Sequence, residues 1–114
     1  MRDTRPISWI KAARKDFEAF PDALQEIALS ALTIAAEGRK SDAAKPLRGL
    51  GSGIFEIALR HREDAFRVVY AAQLAGALWV VHAFKKKSKR GIETPKPEIE
   101  LIKVRMKRLK EVLE

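Results

Sequence analysis

The 114-residue chain has no cysteine. Disulfides, cysteine-based zinc sites and thiol nucleophiles are therefore excluded. Two histidines are too few for a histidine-rich metal site, so neither metal nor cofactor is expected. The first twenty residues carry charge throughout and lack the apolar segment of an export signal. Long uncharged runs are also scarce. Val68 to Phe84 is free of formal charge and approaches the roughly 18 residues of a membrane span. Gln73, Gly76 and His82 interrupt it, and two buried strands joined by a turn describe it better. No membrane association is expected, and a reducing cytoplasm suits the chain. There is no internal repeat. With 46% hydrophobic residues the chain has apolar surface for a modest core, and its length predicts one domain over 1–114.

What is abundant is positive charge, and it is unevenly placed. Residues 1–44 hold seven basic and seven acidic residues, while residues 45–114 hold sixteen and eight. The whole net charge of +8 lies in the second part. Five of the positives fall between Lys85 and Arg90: Lys85, Lys86, Lys87, Lys89 and Arg90. Such a field favours a polyanion, whether nucleic acid, an acidic membrane face or an acidic protein. A solvated loop accounts for the run equally well on composition alone.

Residues 7–10 read as a short strand and 11–20 as a short helix. Pro21 restarts a second helix, in which Leu24, Ile27, Ala28, Ala31, Ile34 and Ala35 follow the helical period up to Gly38 as a cap. Residues 39–45 read as a polar linker and 47–50 as an extended piece, with Gly49, Gly51 and Gly53 marking turns. Three strands follow at 54–61, 66–72 and 77–84. Thr94 is placed as the N-cap of a closing helix whose stripe is Ile99, Ile102, Met106, Leu109 and Leu113.

Register follows from strand alternation. A four-residue loop at 62–65 sets His61 opposite Phe66 and Arg60 opposite Arg67. A two-residue turn at Ala75 and Gly76 sets Leu74 opposite Ala77, Val69 opposite His82 and Arg67 opposite Phe84. One face, a concave one, then carries Glu56, Arg60, Arg67, His82, Phe84 and Lys86, and the closing helix is expected to lie by its stripe on the sheet or on the helical hairpin. The other, helix-covered face gains Trp79, Val81 and Ala83. Facing arginines are costly unless an anion sits between them. They also read as strand arginines paired with Glu56 or Glu63, and His82 also reads as a half-buried structural histidine. Tyr70 falls on the core face.

The segments FEIALR at 55–60, FRVVY at 66–70 and VVHAFKKK at 80–87, followed by ETPKPEI at 93–99, resemble the RelE/ParE toxin superfamily, in its phage-related HigB-like branch. The resemblance covers nearly the whole chain from Ile7. It implies an α+β fold in the order β-α-α-β-β-β-β-α, a small antiparallel sheet packed on an N-terminal helical hairpin with a C-terminal helix. It also implies a type II toxin that cuts messenger RNA on the 70S ribosome, by metal-independent attack of a 2′-hydroxyl on the adjacent phosphate. A helix-turn-helix antitoxin would be its partner. On that resemblance Arg67 holds the scissile phosphate, Arg60 assists, and Lys86 stabilises charge at the cleaved bond. His82 or Glu56 carries protons, and Phe84, Lys85, Lys87, Lys89 and Arg90 contact RNA or ribosome. Glu56 and Ala58 stand where RelE proteins have two lysines, and the closing helix lacks their tyrosine. The ParE branch, which inhibits DNA gyrase without cleaving RNA, and an inactive prophage remnant are the alternatives. The Arg60, Arg67 and His82 cluster favours the ribonuclease branch.

Overall fold

A computed structural model describes residues 4–86 and 93–113. Its elements are β1 (Ile7–Trp9), α1 (Lys11–Glu18), α2 (Asp22–Ala36), β2 (Ala44–Pro46), β3 (Ile54–His61), β4 (Asp64–Leu74), β5 (Ala77–Lys86) and α3 (Lys96–Leu113). The class is α+β and the order is the expected one. The sheet runs β1-β5-β4-β3-β2. Strands β2 to β5 pair antiparallel, but β1 lies parallel on the outer edge of β5, which makes the sheet mixed.

The two helices α1 and α2 cover one face. Ala13 and Phe17 of α1 and Leu24, Ala28, Ala31, Leu32 and Ala35 of α2 pack on Ile57, Leu59, Phe66, Val68, Tyr70 and Leu78. Alanines along α2 bring its backbone close to the sheet. Ile27, expected in that stripe, is 51% exposed, and Leu32 takes the buried position instead. Gly38, at φ 89°, ends α2 by donating to the Ala35 carbonyl while Arg39 donates to that of Ile34. This bond pair needs a left-handed residue, which glycine supplies without strain. Tyr70 is buried and stacks on Phe55 at 5.5 Å. Burial pushes its phenol up to about 12.

Of the two places expected for the closing helix, the sheet and the helical hairpin, it takes the sheet, on the face opposite α1 and α2. The α3 stripe of Ile102, Met106 and Leu109 packs there on Ile54, Val69, Ala71 and Val81. Trp79 and Val81 therefore belong to this second core, whereas Ala83 belongs to the first. The reason is an irregularity in β5. Val69 pairs with His82 and Tyr70 with Val80, leaving Val81 as an extra residue that reverses the alternation. The pairs Leu74 with Ala77, Val69 with His82 and Arg67 with Phe84 are as expected. Ala75 and Gly76 form the turn, both at positive φ.

The β3 to β4 register differs from the expected one by two residues. Arg62 takes φ 57° and turns the chain with Glu63 alone, so His61 pairs with Asp64, Arg60 with Ala65 and Ala58 with Arg67. Arg60 is thus diagonal to Arg67, not opposite it. A slip of two keeps every side chain on its face, so the face assignment survives. The extended piece also moves: the strand is Ala44–Pro46, pairing Lys45 with Glu56, rather than 47–50. At α3 the first carbonyl to accept is that of Pro95, so Thr94 is not the cap. Among the described residues no helix is long and apolar enough to cross a membrane.

Candidate functional site

Three cross-strand rows on the α3 face place the charged residues. The first is Lys45, Glu56, Val69 and His82; the second is Ala58, Arg67 and Phe84; the third is Arg60, Ala65 and Lys86. Arg67 sits at the centre, diagonal to Glu56, Arg60 and Lys86. Its neighbours in its own row are Ala58 on one side and Phe84 on the other.

Arg67 is 6% exposed, Lys86 5% and Glu56 0%, which is rare for charged side chains. Arg67 Nε lies 3.3 Å from Glu56 Oε1, within ion-pair distance but off the hydrogen-bond direction. Arg67 Nη1 makes a long bond of 3.4 Å to the Phe66 carbonyl. The other carboxylate oxygen, Oε2, accepts a hydrogen bond from the Thr94 hydroxyl just ahead of α3. Burial, reinforced by the positive charges of Arg67 and Lys45, lowers the Lys86 pKa, with Glu56 and Glu93 opposing. Among the described residues Arg67, Lys86 and Glu56 form a buried charged group, and taking such charges out of water is costly.

His82 stands one row away, 3% exposed. Arg105 Nη1 donates to its Nδ1 at 2.9 Å and to the Val81 carbonyl at 3.1 Å. A guanidinium has only donors, so Nδ1 accepts and Nε2–H donates to Glu98 Oε1 at 2.6 Å. The ring is neutral in this arrangement. Burial lowers its pKa, as does Arg105, against the opposing pull of Glu98 and Asp16. Both ring nitrogens are engaged in holding α3 to the sheet. Phe84 is 9% exposed and stacks on His82 with centroids 5.0 Å apart. A groove of about 630 Å³ opens beside this pair, between Asp16, Phe20, Glu98 and Leu101.

The remaining residues divide. Arg60 is exposed at the end of β3. Lys85 pairs in register with Phe66, hence on the α1–α2 side, and its Nζ lies 3.2 Å from Asp64 Oδ2. The lysine run thus splits across both faces from its first two members. Lys87, Lys89 and Arg90 lie outside the described residues. Among the described residues there is no cluster of metal-ligating side chains.

Sequence reasoning missed Lys45, Thr94 and Arg105. Arg105 carried a signal: it lies three residues after Ile102 and four before Leu109, a cation on the edge of an apolar stripe. Lys45 and Thr94 carried none, because only the β2 register and the approach to α3 bring them to Glu56.

The geometry can be compared with known proteins. The family model described as Phage derived protein Gp49-like (DUF891) matches residues 15–107. The chain belongs to this family. The match spans the end of α1, all of α2, the charged rows and most of α3. No curated protein matches the sequence. Among solved structures, a double arginine-to-alanine mutant of E. coli toxin RelE in the free state is 19% identical, covering 93% of this chain and 98% of that one, with a TM-score of 0.64. The isolated E. coli RelE toxin is 21% identical over 92% and 98%, with a TM-score of 0.58. The toxin–antitoxin complex RelBE2 from Mycobacterium tuberculosis is 16% identical over 77% and 98%, with a TM-score of 0.44. This Gp49-like chain has the RelE fold.

Proposed function

We propose that this Gp49-like protein is the toxin of a type II toxin–antitoxin pair and cleaves messenger RNA on the ribosome. The observation that carries this reading is the buried Arg67 and Lys86, with Glu56 as their carboxylate, in a RelE fold. Arg67 binds the scissile phosphate and stabilises the charge that builds on its oxygens. The 2′-oxygen forms a bond to phosphorus as the bond to the 5′-oxygen breaks. Glu56 receives the 2′-hydroxyl proton, and the Lys86 ammonium gives one to the departing 5′-oxygen. The products are a 2′,3′-cyclic phosphate and a 5′-hydroxyl. A lowered pKa suits Lys86 to donate a proton. Arg60 and the lysine run hold the surrounding RNA, while His82 holds α3. The ribosome presents the messenger in a fixed pose, which so small a site cannot impose by itself. A helix-turn-helix antitoxin covers this face and keeps the toxin inactive in the cytoplasm.

Induction in growing cells, with mapping of RNA 5′ ends, tests the reading. The parent should arrest growth and create new 5′-hydroxyl ends within translated messages, and Arg67→Lys should do neither. Arrest without new ends, accompanied by DNA breaks, would favour a gyrase inhibitor.

A further inference from the structure

The contact between Thr94 and Glu56 bears on how Arg67 stays available. Glu56 is fully buried, and its partners come from two directions. Arg67 approaches Oε1 from β4, and the Thr94 hydroxyl approaches Oε2 from the segment before α3. A carboxylate and a guanidinium left to themselves favour a fork in which both oxygens face the guanidinium. That fork would use the two donor N–H groups that a phosphate also needs. Here Thr94 occupies one oxygen, and Arg67 meets the other off the hydrogen-bond direction.

We propose that Thr94 is a positioning residue that keeps Glu56 from chelating Arg67 and so leaves the guanidinium free to bind a phosphodiester. The inference rests on the phosphate-binding reading above and adds a control on that site. Its position matters: Thr94 lies two residues before the first residue of α3 and lines two grooves that meet at Glu93 and Ile99. One groove, of about 670 Å³, carries Lys45 and Arg48, and the other, of about 570 Å³, carries Lys86, Lys96 and Lys103. Seating of α3 and the readiness of Arg67 are thereby linked through one hydroxyl.

The test uses the full chain and reads the Arg67 Nε–H resonance by NMR, first alone and then on titration with inorganic phosphate. Thr94→Val removes the hydroxyl at nearly constant volume, and Thr94→Ser keeps it. Without phosphate, Thr94→Val should move the Arg67 resonance toward that of a bidentate pair, while Thr94→Ser should not. With phosphate, Thr94→Val should bind about 10-fold more weakly than the parent and Thr94→Ser within about 2-fold. A purely structural threonine would lower the melting temperature and leave the Arg67 resonance and phosphate affinity unchanged, which would overturn the inference. If Thr94→Val fails to fold, Glu56→Gln replaces it. Loss of the carboxylate charge should then tighten phosphate binding, and unchanged or weaker binding would overturn the inference. A parent that gives no saturable response to phosphate would instead remove the phosphate site itself, whatever Thr94 does to the resonance.

Discussion

The two faces of the sheet are built differently. The face under α1 and α2 is closed by apolar side chains, with the rings of Trp9, Phe17, Phe20 and Phe66 in a chain of contacts 4.8–5.5 Å apart. The face under α3 mixes Val69, Val81 and Ile102 with Glu56, Arg67, His82 and Lys86, all buried. An apolar core stabilises in proportion to the area it hides. Buried charges do not, because lost hydration consumes most of what pairing returns. The first face is therefore where stability resides, and the second gives up stability to hold buried charge.

The largest expected effect breaks this contrast at Arg67. Arg67→Ala should lower the cleavage rate about 100–1,000-fold, the usual loss when one transition-state donor is removed. It should also destabilise by about 3–5 kcal/mol, since Glu56 stays buried and loses the Arg67 charge beside its Oε1. Arg67→Lys keeps the charge without the fork and separates the two effects: activity should fall as far while urea unfolding shifts much less. On the other face, Leu32→Ala should cost about 2–5 kcal/mol in urea unfolding. Its activity per folded molecule should equal that of the parent.

A pH experiment sharpens the comparison further. His82 has a folded pKa below its ordinary 6.5, chiefly through burial. As pH falls through 6.5 the unfolded chain takes up a proton that the folded chain refuses, so stability should drop. Between pH 7.5 and 5.5, about neutral to mildly acid, the melting temperature should fall in the parent and fall less in His82→Gln. An equal fall in both proteins would assign the loss to other groups. The smallest effect is expected at the exposed Lys85–Asp64 pair. Lys85→Ala should change stability by about 0.5 kcal/mol or less, because water screens both charges.

The contrast between faces also explains what the sequence made legible. Alternation in β3 and β4 is strong enough that even a wrong loop length left Phe55, Ile57 and Leu59 on one face and Glu56, Ala58 and Arg60 on the other. The turn at Gly76 was marked by its glycine, whereas the turn at Arg62 was hidden because a non-glycine residue takes the positive φ. The extra residue at Val81 was hidden for a different reason. Val80 and Val81 are both apolar, so nothing in their chemistry says which core each enters. The polar residues of the site were readable as a set on one face. Their burial was not, since it depends on α3 crossing that face and on Thr94 and Arg105 meeting Glu56 and His82 there.

The most direct test of the account is single-turnover cleavage of messenger RNA on purified, programmed ribosomes, comparing the parent with Arg67→Lys. The account predicts one cut in the decoding site by the parent, leaving a 2′,3′-cyclic phosphate and a 5′-hydroxyl. For Arg67→Lys it predicts ribosome binding within about 2-fold of the parent and a rate lower by about 100-fold or more. Cleavage at the parent's rate by a folded Arg67→Lys protein would contradict it, and so would a parent that binds the ribosome and leaves the message whole.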